Sequence, residues 1–67
     1  MSWAYARVHL HSGVVYNVQE TLDQIADKIS ALLRVDDFIE VKEGRPPETI
    51  RIRVRANEIA AVEEIIS

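Results

Sequence analysis

The chain has 67 residues, 48% of them hydrophobic and none of them cysteine, and carries a net charge of −3. That length supports one domain over residues 1–67, with a core that withdraws only roughly 60% of the unfolded surface from water. The absence of cysteine excludes disulfides and thiolate metal sites, no apolar run approaches the ~20 residues of a membrane span, and the acid excess opposes generic nucleic-acid binding.

Residues 4–10 and 14–18 read as two strands joined at His11-Ser12-Gly13. A two-residue turn would mix polar and apolar side chains on both faces. A three-residue loop with Gly13 in the left-handed position pairs Leu10 with Val14, Val8 with Tyr16 and Ala6 with Val18, and makes one face apolar. Trp3, Tyr5, Arg7 and His9 then share the opposite face with Val15 and Asn17.

Thr21-Leu22-Asp23-Gln24 fits a capping box, with Thr21 as N-cap and Gln24 reaching back. Leu22, Ile25, Ala26, Ile29, Leu32 and Leu33 follow at the spacing of one apolar helical stripe, which predicts a helix over 22–34. Glu20 and Asp23 near its start and Arg34 at its end suit the helix dipole. Val35-Asp36-Asp37 then turns the chain into a third strand, 38–43, where Ile39 and Val41 alternate with Phe38, Glu40 and Lys42. Gly44, Pro46 and Pro47 mark a hairpin loop.

The fourth strand, 49–55, contains Ile50-Arg51-Ile52-Arg53-Val54-Arg55, a strict apolar/basic alternation. In a strand it buries the aliphatic side chains and lines the other face with arginines, three of the chain's eight Lys/Arg residues. The tail admits two readings. Asn57 suits an N-cap, and Ile59, Val62 and Ile66 sit at helical spacing, but residues 62–66 also fit an edge strand. One helical turn followed by a short strand is the preferred reading, with a C-terminal helix as the alternative. The expected fold is thus an α+β domain, an antiparallel sheet in β-β-α-β-β order with one amphipathic helix on one face.

The strongest functional constellation is the outward sheet face. With both hairpins in one sheet, Trp3, Tyr5, Arg7 and His9 share that face with Arg51, Arg53 and Arg55. Aromatic rings among cations suit single-stranded nucleic acid, where bases stack and phosphates pair with guanidinium groups. The same face equally suits a protein partner, and charged strands also deter edge-to-edge aggregation. The arginines can further pair with Glu40 or the tail glutamates.

Other chemistry finds little footing. His9 and His11 stand two apart, but zinc needs three or four ligands and the hairpin loop takes His11. No serine lies in a Gly-x-Ser-x-Gly elbow, and two glycines cannot build a phosphate-cradling loop. Asp36-Asp37 reads as a turn, and Arg45-Pro46-Pro47 as a stiffened loop. No enzyme activity, metal or cofactor is expected.

The run from Val8 to Val18, Thr21-Leu22 opening an amphipathic helix, Phe38-Ile39-Glu40-Val41, Asn57-Glu58-Ile59 and Val62-Glu63-Glu64 together resemble FlbD-type flagellar small proteins and other short bacterial and phage proteins. The same pattern is more faintly similar to LytTR-type DNA-binding domains, from which no DNA-contacting residue is carried over. The resemblance implies a bacterial or phage origin and a binding or regulatory role.

A domain this small normally draws on disulfides, a metal or oligomerisation, so self-association is the expected reinforcement. The start of the chain lacks the basic and apolar stretches of a signal peptide, which makes the cytoplasm the expected location. The expected function is a non-enzymatic interaction or assembly module, as a homo-oligomer or with a protein partner and away from membranes. Nucleic-acid binding through the basic and aromatic sheet face is the alternative.

Overall fold

In the computed structural model, which describes residues 3–66, the chain runs β1 (Ala6–Leu10), β2 (Val15–Val18), α1 (Leu22–Ser30), β3 (Phe38–Glu43), β4 (Ile50–Arg55), a 3-10 turn (Ala56–Glu58) and β5 (Ile59–Glu64). The five strands form one antiparallel sheet in the order β4-β3-β2-β1-β5. The domain is α+β, with the expected β-β-α-β-β order and a C-terminal strand. No helix among the described residues is long and apolar enough to cross a membrane.

The first hairpin has the register that apolar consistency requires. Ala6 faces Val18 and Val8 faces Tyr16, while the Leu10 amide donates to the Val14 carbonyl at 2.9 Å. Gly13 takes φ +93°, the left-handed conformation that closes a three-residue loop, and its amide donates to the Leu10 carbonyl at 3.0 Å. The capping box also forms: the Gln24 amide donates to Thr21 Oγ1 at 3.1 Å and the Thr21 amide to Gln24 Oε1 at 2.9 Å.

The helix is shorter than the 22–34 that its periodicity predicts. It ends at Ser30, with Ala31 as C-cap, and the Leu32 amide bonds one residue short, to the Ile29 carbonyl at 3.1 Å. That tighter turn breaks the stripe. Leu32 stays half-buried against the core, whereas Leu33 is 98% exposed and does not cover the sheet. Asp36 and Asp37 would oppose the negative end of a longer helix; instead Asp37 shapes the turn into β3, its carboxylate accepting from the Phe38 amide at 2.8 Å. Ala26, also expected in the stripe, is exposed.

The tail is a single 3-10 turn followed by a strand, which replaces the helical alternative for residues 57–66. Asn57 lies inside the turn rather than capping it; the N-cap position is Arg55, without a side-chain cap bond. Strand β5 pairs along β1, from Ala6 opposite Glu64 to Leu10 opposite Ile59, with one irregularity at His9/Leu10.

The sheet is strongly curled. One row of partners, Ile50–Glu43–Val18–Ala6–Glu64, crosses all five strands. From that row Arg55 lies five residues in one direction and Ile59 five in the other. Laid flat, they would stand roughly 38 Å apart, from ~3.3 Å per residue and ~4.8 Å per strand. Yet only Ala56–Glu58 joins them, a reach of about 14 Å, and the longest dimension of the molecule is 35 Å. The fold of the sheet lies at β2–β3, where a single pair, Val18 and Glu43, is in register. Two half-sheets therefore face each other: Ala6, Val8 and Val18 from one meet Ile39, Val41 and Val54 from the other, with Ile25 of α1 completing the core.

Glu20 secures the fold of the sheet. Where β2 stops pairing, its buried carboxylate accepts the Lys42 amide at 3.0 and 3.2 Å, while the Gln19 amide donates to the Lys42 carbonyl at 2.8 Å. The Gln19 side chain donates to the Gly44 carbonyl at 2.7 Å and to Thr49 Oγ1 at 2.9 Å, tying the second hairpin loop to the same corner.

Candidate interaction surfaces

Alternation along each strand places the sequence-derived candidates on the outer face, away from the core. Arg51, Arg53 and Arg55 pair in register with Lys42, Glu40 and Phe38, and all six side chains are exposed. Tyr5, Arg7 and His9 lie on the outer face of β1 and its lead-in; Tyr5 and Arg7 are exposed and His9 is half-buried. Trp3 precedes β1 and is half-buried.

The curl decides which of these residues can act together. On a flat sheet the aromatic and arginine rows would form one surface. On a sheet wrapped around its own core the outer faces of β1 and β4 belong to different halves and turn away from each other. The result is two patches. One gathers Tyr5, Arg7, His9, Val15 and Asn17 with Ala61 and Glu63 of β5; the other is the β3–β4 hairpin.

In the first patch, His9 Nε2 hydrogen-bonds to Glu63 Oε1, and Arg7 stands directly opposite Glu63. His11 is exposed in the loop, its amide donating to the Glu58 carbonyl at 2.9 Å. Among the described residues no group of three or more His, Cys, Asp or Glu side chains is placed to hold a metal ion.

In the second patch, Arg51 reaches Glu40 at 3.7 Å and the Arg55 guanidinium lies 4.9 Å from the centroid of the Phe38 ring. Arg53 makes no ion pair among the described residues. The hairpin over 38–55 holds five of the chain's eight Lys/Arg residues and three of its eleven acids, so the remainder of the molecule is strongly acidic. Phe38 is the aromatic partner that reading strand by strand did not select; its place opposite Arg55 follows only from the β3–β4 register.

Two clefts flank the helix. A polar one of about 500 Å³ is lined by Gln19, Glu20, Gln24, Asp27, Lys28, Glu40 and Lys42. Three of these side chains, Gln19, Glu20 and Gln24, already hold the sheet corner and the helix cap. The other cleft, about 360 Å³, is largely apolar and lies between Ile29, Leu32, Leu33 and Val35 on one side and Ala56 and Asn57 on the other. Leu33 and Val35, at 98% and 76% exposure, stand at its rim.

Burial is distributed unusually by size. The buried hydrophobic residues are Ala4, Ala6, Val8, Val18, Ile25, Ile39, Val41 and Val54. None of the four leucines and none of the four aromatic residues is among them. The leucine and aromatic side chains are thus half-buried or at the surface. Comparison with family models, with curated proteins and with solved structures finds no match to this chain.

Proposed function

We propose that this chain is a small non-enzymatic interaction module that associates with itself, using the apolar surface around Leu33 and Val35. One observation carries the reading: Leu33 and Val35 stand 98% and 76% exposed at the rim of an apolar cleft. A soluble surface rarely shows clustered large aliphatic side chains without a partner to cover them. The cleft beside them supplies the concave half of such a contact.

The energetics favour a weak, concentration-dependent contact. Covering one exposed leucine or valine contributes ~1.5–3 kcal/mol, and a two-fold contact covers Leu33 and Val35 twice, about 6–12 kcal/mol in all. Association costs roughly 4–15 kcal/mol in lost freedom, so only a modest surplus remains. Replacing Leu33 by Asp places a charge at the centre of the contact. Light scattering should show the mass of L33D fall below that of the unmodified chain at equal concentration; an unchanged mass sinks this surface as the contact.

A second reading, nucleic-acid contact through the β3–β4 hairpin, draws on the exposed Phe38–Arg55 pair amid three further cations. Against it, Glu40 sits within the patch and the rest of the molecule is acidic. Salt-sensitive binding of a single-stranded oligonucleotide, lost in both F38A and R53E, would support this reading. Its absence removes it.

A further inference from the structure

The curled sheet does not close. β4 and β5 are its two ends and do not bond to each other, so each presents a free backbone edge six residues long. Such edges are templates for another strand unless something blunts them. Neither strand contains proline, and β4 pairs with β3 without irregularity.

The two edges carry opposite charge. β4 is Ile50-Arg51-Ile52-Arg53-Val54-Arg55 and contains no acid; from Ala56 to Ile66 there is no cation, and β5 ends in Glu63 and Glu64. Pairing β4 with a second β4 would crowd six guanidinium groups onto one outer face. Pairing β5 with a second β5 gains no opposite-charge contact, because neither copy carries a cation on that strand. Like charges opposed across strands are destabilising, and opposite ones favourable. Only the unlike pairing satisfies both edges.

We propose that copies of this chain join head to tail through their sheet edges, the arginine-bearing β4 of one copy pairing with the glutamate-bearing β5 of the next. This goes beyond the Leu33 contact and shares with it only the premise of self-association. The outer face of β5 suits the guest: Ala61 is small and exposed, so arginine side chains can lie across it to reach Glu63. His9 engages Oε1 of Glu63, which leaves the second carboxylate oxygen for a guanidinium group. On the other side, Arg53 stands at the middle of β4 with no ion pair of its own among the described residues. A contact between unlike edges leaves one of each free, so it propagates into a ring or a filament.

The test is complementation of two broken edges, in an L33D background that removes the apolar contact. L33D alone should still grow in mass with concentration, and less so as salt rises. L33D/R53E lacks a usable β4 edge and L33D/E63R a usable β5 edge; each should run as a single chain of 7.6 kDa. Mixed in equal amounts they should regain growth in mass with concentration, because the intact β5 of the first meets the intact β4 of the second and the two charge-reversed edges are again unlike. Thermal unfolding checks that each variant is folded. If E63R is not, A61R takes its place, since it adds the same repulsion and leaves the His9–Glu63 contact untouched. A single-chain mass for L33D itself, an R53E variant that retains the mass of its parent, or a mixture that stays monomeric overturns the proposal. An L33D mass equal to that of the unmodified chain would instead refute the apolar contact alone.

Discussion

Replacing Ile25 with Ala tests how the helix covers the core. Ile25 is 1% exposed and is the one residue of α1 that is fully buried. The substitution removes three carbons from the interior, a transfer loss of ~2.4 kcal/mol at ~0.8 kcal/mol per carbon. A residual cavity of roughly 50 Å³ adds ~1 kcal/mol at ~24 cal/mol per Å³. The expected loss of about 3.5 kcal/mol compares with a total stability of ~3–10 kcal/mol for a domain of this length. At ~4–8 °C per kcal/mol, the melting temperature should fall by roughly 15–25 °C. L33A is the control. Both residues belong to the same stripe by periodicity, but the exposure of Leu33 predicts a change within about 0.5 kcal/mol. Ile29, half-buried, should fall between the two. Urea or thermal unfolding followed by circular dichroism measures all three, at a protein concentration low enough to keep association from contributing. Equal losses for I25A and L33A would refute both the early end of the helix and the core built on it.

The two glycines should differ. Each has positive φ, but a Cβ on Gly44 would sit 2.5 Å from the Glu48 carbonyl oxygen, while one on Gly13 meets nothing within 4 Å. G44A should therefore destabilise clearly more than G13A, whose cost of ~1 kcal/mol is conformational alone, and comparison of their unfolding midpoints checks this. E20A leaves the Lys42 amide at the sheet corner without its acceptor and should cost ~1–3 kcal/mol; E20Q keeps one acceptor oxygen and should retain more of the stability in the same denaturation assay. T21A removes one half of the capping box and should cost ~0.5–2 kcal/mol, read as a lower melting temperature with the sheet signal preserved below it.

The first hairpin was legible in the sequence because only one loop length puts Ala6, Val8, Leu10, Val14, Tyr16 and Val18 on one face. The capping box was legible for a similar reason: local hydrogen-bonding groups and apolar spacing agreed. The tail was legible only as two alternatives, since Asn57, Ile59, Val62 and Ile66 fit a helix while residues 62–66 also fit a strand. The end of the helix was not. Leu32 and Leu33 both satisfy a 3.6-residue period with Ile29, and periodicity carries no information about where the chain must turn to start β3. The arrangement of the outer face was legible only in part. Alternation assigns Arg53 and Tyr5 to the outside of their strands, but whether they look the same way depends on the curl of the sheet, which the short Ala56–Glu58 connection imposes. The burial of Glu20 was hidden as well, since beside Thr21 it reads as a charge at a helix start rather than as the acceptor that replaces a missing strand partner.

Sedimentation velocity of the unmodified chain over a wide concentration range decides whether it self-associates. The expected weight-average mass lies above the 7.6 kDa of a single chain and rises with concentration. A mass of 7.6 kDa at every concentration would contradict self-association.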